Sequence, residues 1–485
     1  MAAGKEEKKP RKTSAIRFRG IIILEILILL ILFGAFRLIN KPDKDPDSAD
    51  YTGSSENDKK EQTNGAPGAD DAEGEEEKLT EEELEAIREQ EKLKKEIGDR
   101  ENLIIQAESL VLGYDYDGAM ELIKSYQGEE GGYEIYPTLV AAVTDIETRK
   151  AGLLLYGGSY TTVRQFNHIF FHSLIADNSR AFDGDEDSTG YNMYMTTVNE
   201  FKNMMQTMYD DGYVLVSIHD IAKEVTKEDG TTEFMEQEIY LPEGKKPFVL
   251  SQDDVSYYGY MEGDGFATRI VVGEDGKPTC EMILKDGSVV TGSYDMVPII
   301  DDFVEEHPDF SYRGAKGIIA LTGYEGVLGY RTDDPTSPTY AQDVETAKAV
   351  AEAMKADGWE FASHSWGHRN MQERSFNAVQ VDAQRWMDEV SPIIGPTDIL
   401  IFPNGVDIET TMGHYSSDKF QYLKEMGFDY YCGVYQEPWM HIKADYVRMT
   451  RRPLDGQAML QFPERLADLF DLTTIIDPER PPKDW

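Results

Sequence analysis

Three short segments hold residue types that can do chemistry: Ser251-Gln252-Asp253-Asp254-Val255, His364-Ser365-Trp366-Gly367-His368 and Phe402-Pro403-Asn404-Gly405. His364 and His368 stand four residues apart. At that spacing two imidazoles reach one ion from a helix face or a tight loop. Two histidines can also hydrogen-bond to backbone and do nothing else, so the pair alone decides nothing. One Asp with two His is a common ligand set for a divalent ion with open positions. Asp254, His364 and His368 make such a set, and Asp253 is a second carboxylate beside it, able to act as a base on water.

The Asp pair and the His pair lie more than a hundred positions apart, so the elements between them must bring them together. Each segment follows an apolar run predicted as a strand: "PFVL", "WEFAS" and "DILI". Further strands are predicted at "FNHIFFHSLI", "YVLVSI", "KGIIALT" and "FDYYCGV". Helical periodicity marks "TVNEFKNMMQTMYDDG", "DMVPIIDDFVEEHP", "AQDVETAKAVAEAMKADG", "SFNAVQVDAQRWMDEV" and "SSDKFQYLKEMG". Thr197 and Glu200 form a capping box at the start of the first of these. Alternating strands and helices imply a parallel sheet with helical crossovers, and about six or more such units imply a (β/α) barrel. In a barrel all strand C-termini open on one face, which is where the three segments would meet. Residues about 260–295, with turns at "EDGK" and "KDGS", interrupt the alternation as a hairpin insertion.

The order and spacing of the three segments resemble the polysaccharide deacetylase (NodB-homology) family, carbohydrate esterase family four. That family carries T-F-D-D-G, then H-[ST]-x-x-H, then a proline motif. The lead-in "FKNMMQTMYDDGYVLVSIHDI" is similar to the extracellular branch that deacetylates poly-N-acetylglucosamine. The resemblance spans roughly residues 157–470 and implies a distorted barrel. It implies Asp253 as the base, Asp254, His364 and His368 as ligands to a divalent metal ion, usually Zn2+, and Pro403, Asn404 and Gly405 as the substrate-binding turn, with the Asn404 N–H stabilising the oxyanion. The ion would polarise the acetyl carbonyl. Gln252 and Val255 depart from the first motif, and Ile401 stands where many members have the arginine that orients the base. Arg331 is a candidate to supply that charge. No L-x-H motif follows, and His441 is the candidate acid. Trp366 either stacks on a sugar ring or packs. Of His168 and His172, even-spaced on one strand, one lines the pocket mouth or both are satisfied sheet histidines.

The 485 residues carry a formal net charge of -43, which argues against nucleic acid as a partner, and two cysteines, too few for a disulfide framework. Residues 1–19 form a basic tail. Residues 20–39 hold the apolar run Ile21–Phe36, and no small-residue cleavage site clearly follows it, so an uncleaved transmembrane anchor is expected. The basic flank predicts a cytoplasmic N-terminus and an extracellular remainder at the cell membrane. Residues 40–79 read as a disordered acidic linker. Residues 80–152 read as a small tetratricopeptide-like helical module that spaces the domain or binds another protein. Residues 153–485 form the catalytic domain. The expected function is a membrane-anchored, metal-dependent deacetylase of an N-acetylated cell-wall or exported polysaccharide. The alternatives are a catalytically silent carbohydrate-binding or scaffold protein on the same fold, and a different amide hydrolase.

Overall fold

Seven short strands pair edge to edge, all parallel: β1 Asn167–Phe171, β2 Lys246–Gln252, β3 Ile318–Leu321, β4 Glu360–Ser363, β5 Ile399–Ile401, β6 Tyr430–Val434 and β7 Val447–Pro453. The pairing runs from β1 to β7 in chain order, and β7 returns to β1 through Arg452 opposite Ile169, closing a barrel. The structure is a computed structural model that describes residues 79–156, 166–409, 414–435, 437–483 and 485. The basic tail, the apolar run and the acidic stretch to residue 78 lie outside the described residues. Among the described residues no helix is long and apolar enough to cross a membrane.

Strands buried on both faces read as continuous apolar runs, and "IIAL" of β3 and "ILI" of β5 are buried throughout. The helices that cover them are amphipathic. α4 (Val198–Asp210) starts at the Thr197–Glu200 capping box and turns Phe201, Met204, Met205 and Met208 inward. α5 (Met296–Glu306), α6 (Tyr340–Ala356), α7 (Phe376–Glu389) and α8 (Asp418–Glu425) follow β2, β3, β4 and β5. Between β2 and β3 stands a three-stranded antiparallel sheet, Arg269–Val272, Pro278–Ile283 and Val289–Gly292. The strand expected at "YVLVSI" spans only Tyr213–Leu215 and pairs with the start of β2 outside the ring. Its continuation turns into a helix at Ile218, where Ser217 caps the chain. β7 is an element that the apolar pattern does not reveal. "VRMTRRP" carries three arginines, yet Arg448, Arg451 and Arg452 are all buried and paired with carboxylates.

Ahead of the barrel, α1 (Glu81–Leu112), α2 (Tyr116–Lys124) and α3 (Pro137–Ala151) make a hairpin plus one helix rather than a stack of repeats. Tyr114, in the turn between α1 and α2, stacks on Tyr312 just before β3, with ring centroids 5.9 Å apart. The Arg313 N–H donates to the Gly113 carbonyl, 2.7 Å away, so the turn is fixed to the bottom of the barrel.

At that same end His219 joins two strands. Its Nδ1 is 2.5 Å from Glu360 Oε1, at the start of β4, and its Nε2 is 3.0 Å from Asp398 Oδ1, just before β5. Burial opposes the imidazolium, but hydrogen bonds to Asp398 and Glu360 outweigh it and raise the pKa from 6.5 to about 10. A folded-state pKa above the unfolded one stabilises below the unfolded value and loses that contribution as pH rises through the folded one. The expected result is a denaturation midpoint that falls between pH 7 and 10 in the wild type, with that part of the slope missing in His219→Gln. Urea titrations across this range check it.

Candidate metal and catalytic centre

Parallel register sets one layer of residues at the C-terminal rim. Phe171 pairs with Gln252, so His172 and Asp253 emerge side by side, and the Asp253 N–H donates to the Phe171 carbonyl at 2.8 Å. Leu321 pairs with Ser363, and Ser363 with Leu400, so Thr322 and His364 reach the same rim next to Ile401. The three segments singled out by residue type therefore converge.

His364 and His368 lie on a loop, not a helix. The loop turns through Ser365 (φ 59) and His368 (φ 47), left-handed conformations uncommon for such residues. Asp382 of α7 holds the bend, accepting from the backbone N–H of Trp366 at 2.8 Å and of Gly367 at 2.9 Å. Asp254 is also left-handed, with φ 61. The two imidazole centroids are 4.9 Å apart. His364 Nδ1 lies 2.9 Å from the Ile401 carbonyl, which can only accept, so Nδ1 carries the hydrogen and Nε2 offers its lone pair. Burial holds this imidazole neutral. His368 Nε2 is 3.7 Å from Asp254 Oδ2. One donor atom each from Asp254, His364 and His368 lies within 4.8 Å of the others. A carboxylate and two imidazoles, that of His364 with its tautomer fixed, fit a divalent ion of the zinc type.

Asp253 is paired differently. Arg451 of β7 grips it with both arms of the guanidinium, Nη1 to Oδ1 at 2.7 Å and Nη2 to Oδ2 at 2.8 Å. Burial works against the Asp253 charge, but the Arg451 guanidinium outweighs it and holds the carboxyl well below the usual carboxylate range. Arg451 Nη1 also donates to Ser251 Oγ at 3.2 Å, and Ser251 Oγ lies 2.9 Å from His168 Nε2. His168 is fully buried, and burial followed by the Arg451 charge keeps it neutral. The arginine missing at Ile401 thus has its counterpart on the last strand. Arg331, expected in that role, instead donates to the carbonyls of Ser256, Tyr257 and Glu325, bracing the loop behind Asp254.

His172 sits at the rim beside Asp253, partly exposed. Its Nδ1 is 3.2 Å from the Tyr194 carbonyl, which leaves Nε2 to exchange a proton. Gln252 fixes the His172 backbone, donating to its carbonyl at 3.2 Å and to buried Asp295 at 2.7 Å. His441 lies elsewhere, on a short strand opposite Arg448, about 10 Å along β7 from Arg451. Among the described residues its ring contact is with Trp439, at 4.8 Å. Trp366 packs. The Arg385 guanidinium covers its ring at 3.3 Å, its Nε1 donates to Glu389 at 2.7 Å, and Gly323 lies so close that a Cβ there would fall 2.1 Å from Trp366 Cδ1. Pro403, Asn404 (φ 58) and Gly405 (φ 67) form a tight turn after β5, with Gly405 against Val434 at the end of β6.

Residues 337–431 match the family model of polysaccharide deacetylase. That stretch of the chain is similar to the family and makes up 95 of the 485 residues. The matched span includes His364, His368 and Pro403, while Asp253, Asp254, His172 and Arg451 fall outside it. No curated protein matches the chain. Among solved structures, the Streptococcus pyogenes deacetylase PplD in complex with acetate covers 62% of this chain and 98% of its own, at 12% identity and a TM-score of 0.34. A de-N-acetylase from Aggregatibacter actinomycetemcomitans covers 61% and 96%, at 16% identity and a TM-score of 0.33. The seven-stranded parallel barrel of this chain rests on its own strand pairing.

Proposed function

We propose that this chain is a membrane-anchored, extracytoplasmic, metal-dependent deacetylase that removes N-acetyl groups from a cell-wall or exported polysaccharide. The observation that carries the reading is a charged, arginine-held Asp253 beside the Asp254, His364 and His368 donor set. A divalent ion held there supplies Lewis acidity to the acetyl carbonyl and to the attacking water. Asp253 takes the proton from that water, with Arg451 fixing the carboxylate in place. The Asn404 N–H, on the turn after β5, would donate to the developing oxyanion. His172, which emerges beside Asp253, rather than His441, hands a proton to the departing nitrogen. A silent carbohydrate binder would need neither a buried base nor an arginine to orient it.

The acid assignment is tested by acetate release. His172→Ala should lose about 100-fold or more in turnover, the scale of general-acid loss, and His441→Ala should stay near wild type. The reverse outcome would return the role to His441. Anchoring draws on the apolar run Ile21–Phe36 and its basic flank. Protease added to intact cells without an outer membrane should remove the catalytic domain; full protection would refute the outward orientation.

A further inference from the structure

Tyr258, which no motif above includes, lies directly behind a ligand of the proposed ion. It is 4% exposed. Its hydroxyl is 2.7 Å from Asp254 Oδ1 and 2.9 Å from Thr322 Oγ1, and Thr322 Oγ1 is 3.1 Å from Ser256 Oγ. An ionised carboxylate only accepts, so the Tyr258 hydrogen belongs to Asp254. The Tyr258 oxygen is then left to accept from Thr322, and the Thr322 oxygen to accept from Ser256. Three buried hydroxyls form a one-way chain that ends on a single oxygen of Asp254. The other oxygen, Oδ2, is the one turned toward His368.

The ring behind this hydroxyl is held on two sides. Tyr258 stacks on Tyr324 with centroids 4.8 Å apart and planes 8° apart, and on Tyr260 at 6.0 Å and 16°. Arg331 holds the neighbouring Ser256 and Tyr257 carbonyls at 3.2 and 2.7 Å. The hydroxyl therefore has little freedom to follow Asp254 if the carboxylate rotates.

We propose that Tyr258 is a positioning residue for the ion: by occupying Oδ1 it makes Asp254 a one-oxygen ligand whose Oδ2 faces His368. This rests on the metal reading given above. A hydrogen bond to the far oxygen of a ligating carboxylate fixes its orientation, and loss of such a partner typically costs 10–100-fold in affinity.

The test uses full-length protein stripped of metal and titrated with Zn2+ against a chromophoric chelator. Tyr258→Phe keeps the ring and its stacking, and should weaken Zn2+ binding by about 10–100-fold with an unchanged far-UV spectrum. Thr322→Val removes the donor to the Tyr258 oxygen and should give a smaller loss in the same direction. Loaded with Co2+, Tyr258→Phe should show weaker visible absorption than wild type, as the released carboxylate adds a second oxygen to the ion. Wild-type affinity and an unchanged Co2+ spectrum in Tyr258→Phe would overturn the assignment and leave the tyrosine a packing role. A wild type that binds neither ion would overturn the metal reading itself and this inference with it, and the wild-type titration tells the two failures apart.

Discussion

Asp253→Asn is expected to lose turnover by about 100-fold or more while still taking up its ion. The amide keeps the side chain's size but no longer accepts a proton from water. None of Asp254, His364 and His368 changes, so Zn2+ uptake should stay near wild type. The same variant should also be less stable. Asp253 and Arg451 are both buried, and removing one partner of a buried pair leaves the other charge uncompensated, a cost of about 3–5 kcal/mol. Kinetics therefore belong well below the variant's melting temperature. Asp253→Asn combined with Arg451→Met removes the stranded charge and should regain part of the stability with none of the turnover. A variant that is stable yet keeps wild-type turnover would remove Asp253 from the reaction.

His364→Ala is expected to weaken ion binding by more than about 100-fold, beyond the effect of losing an outer hydrogen-bond partner. Two protein ligands would remain, where zinc sites ordinarily have three or four. The Ile401 carbonyl that orients His364 would also lose its donor. Metal analysis after dialysis, compared between the variant and wild type, checks the loss. Full occupancy in His364→Ala would mean that the two histidines do no more than hydrogen-bond to backbone.

Much of the barrel is legible because its strands are buried on both faces and its helices carry sharp boundaries. Thr197 and Glu200 announce α4 from type and spacing alone, and both halves of the box form. The candidate centre is legible where its residues are close in sequence, as with His364 and His368, or follow an obvious strand, as with the base candidate Asp253 and the ligand candidate Asp254. β7 escapes because Arg448, Arg451 and Arg452 read as solvent-facing residues, and only three-dimensional pairing reveals that they are buried. Arg451 is hidden for the same reason: its partner lies 198 residues away. Arg331 lies past a strand end, whereas Arg451 projects from within a strand. His172 had a signal available. It follows "NHIFF" as Asp253 follows "FVLSQ", and the rule that strand C-termini build the site applies to the first strand as well as to the others. Tyr258 had none, since a hydroxyl four residues past an Asp is common and only the fold brings it back onto the carboxylate.

The most direct test of the account is acetate and free amine measured together. Full-length wild-type protein loaded with Zn2+ is incubated with chitin oligomers, poly-N-acetylglucosamine and peptidoglycan, with Asp253→Asn run alongside. The account predicts equal amounts of acetate and new amine from at least one of these glycans, and at least about 100-fold less from Asp253→Asn. No acetate from any of the three with the ion fully bound, or equal release by Asp253→Asn, would contradict it.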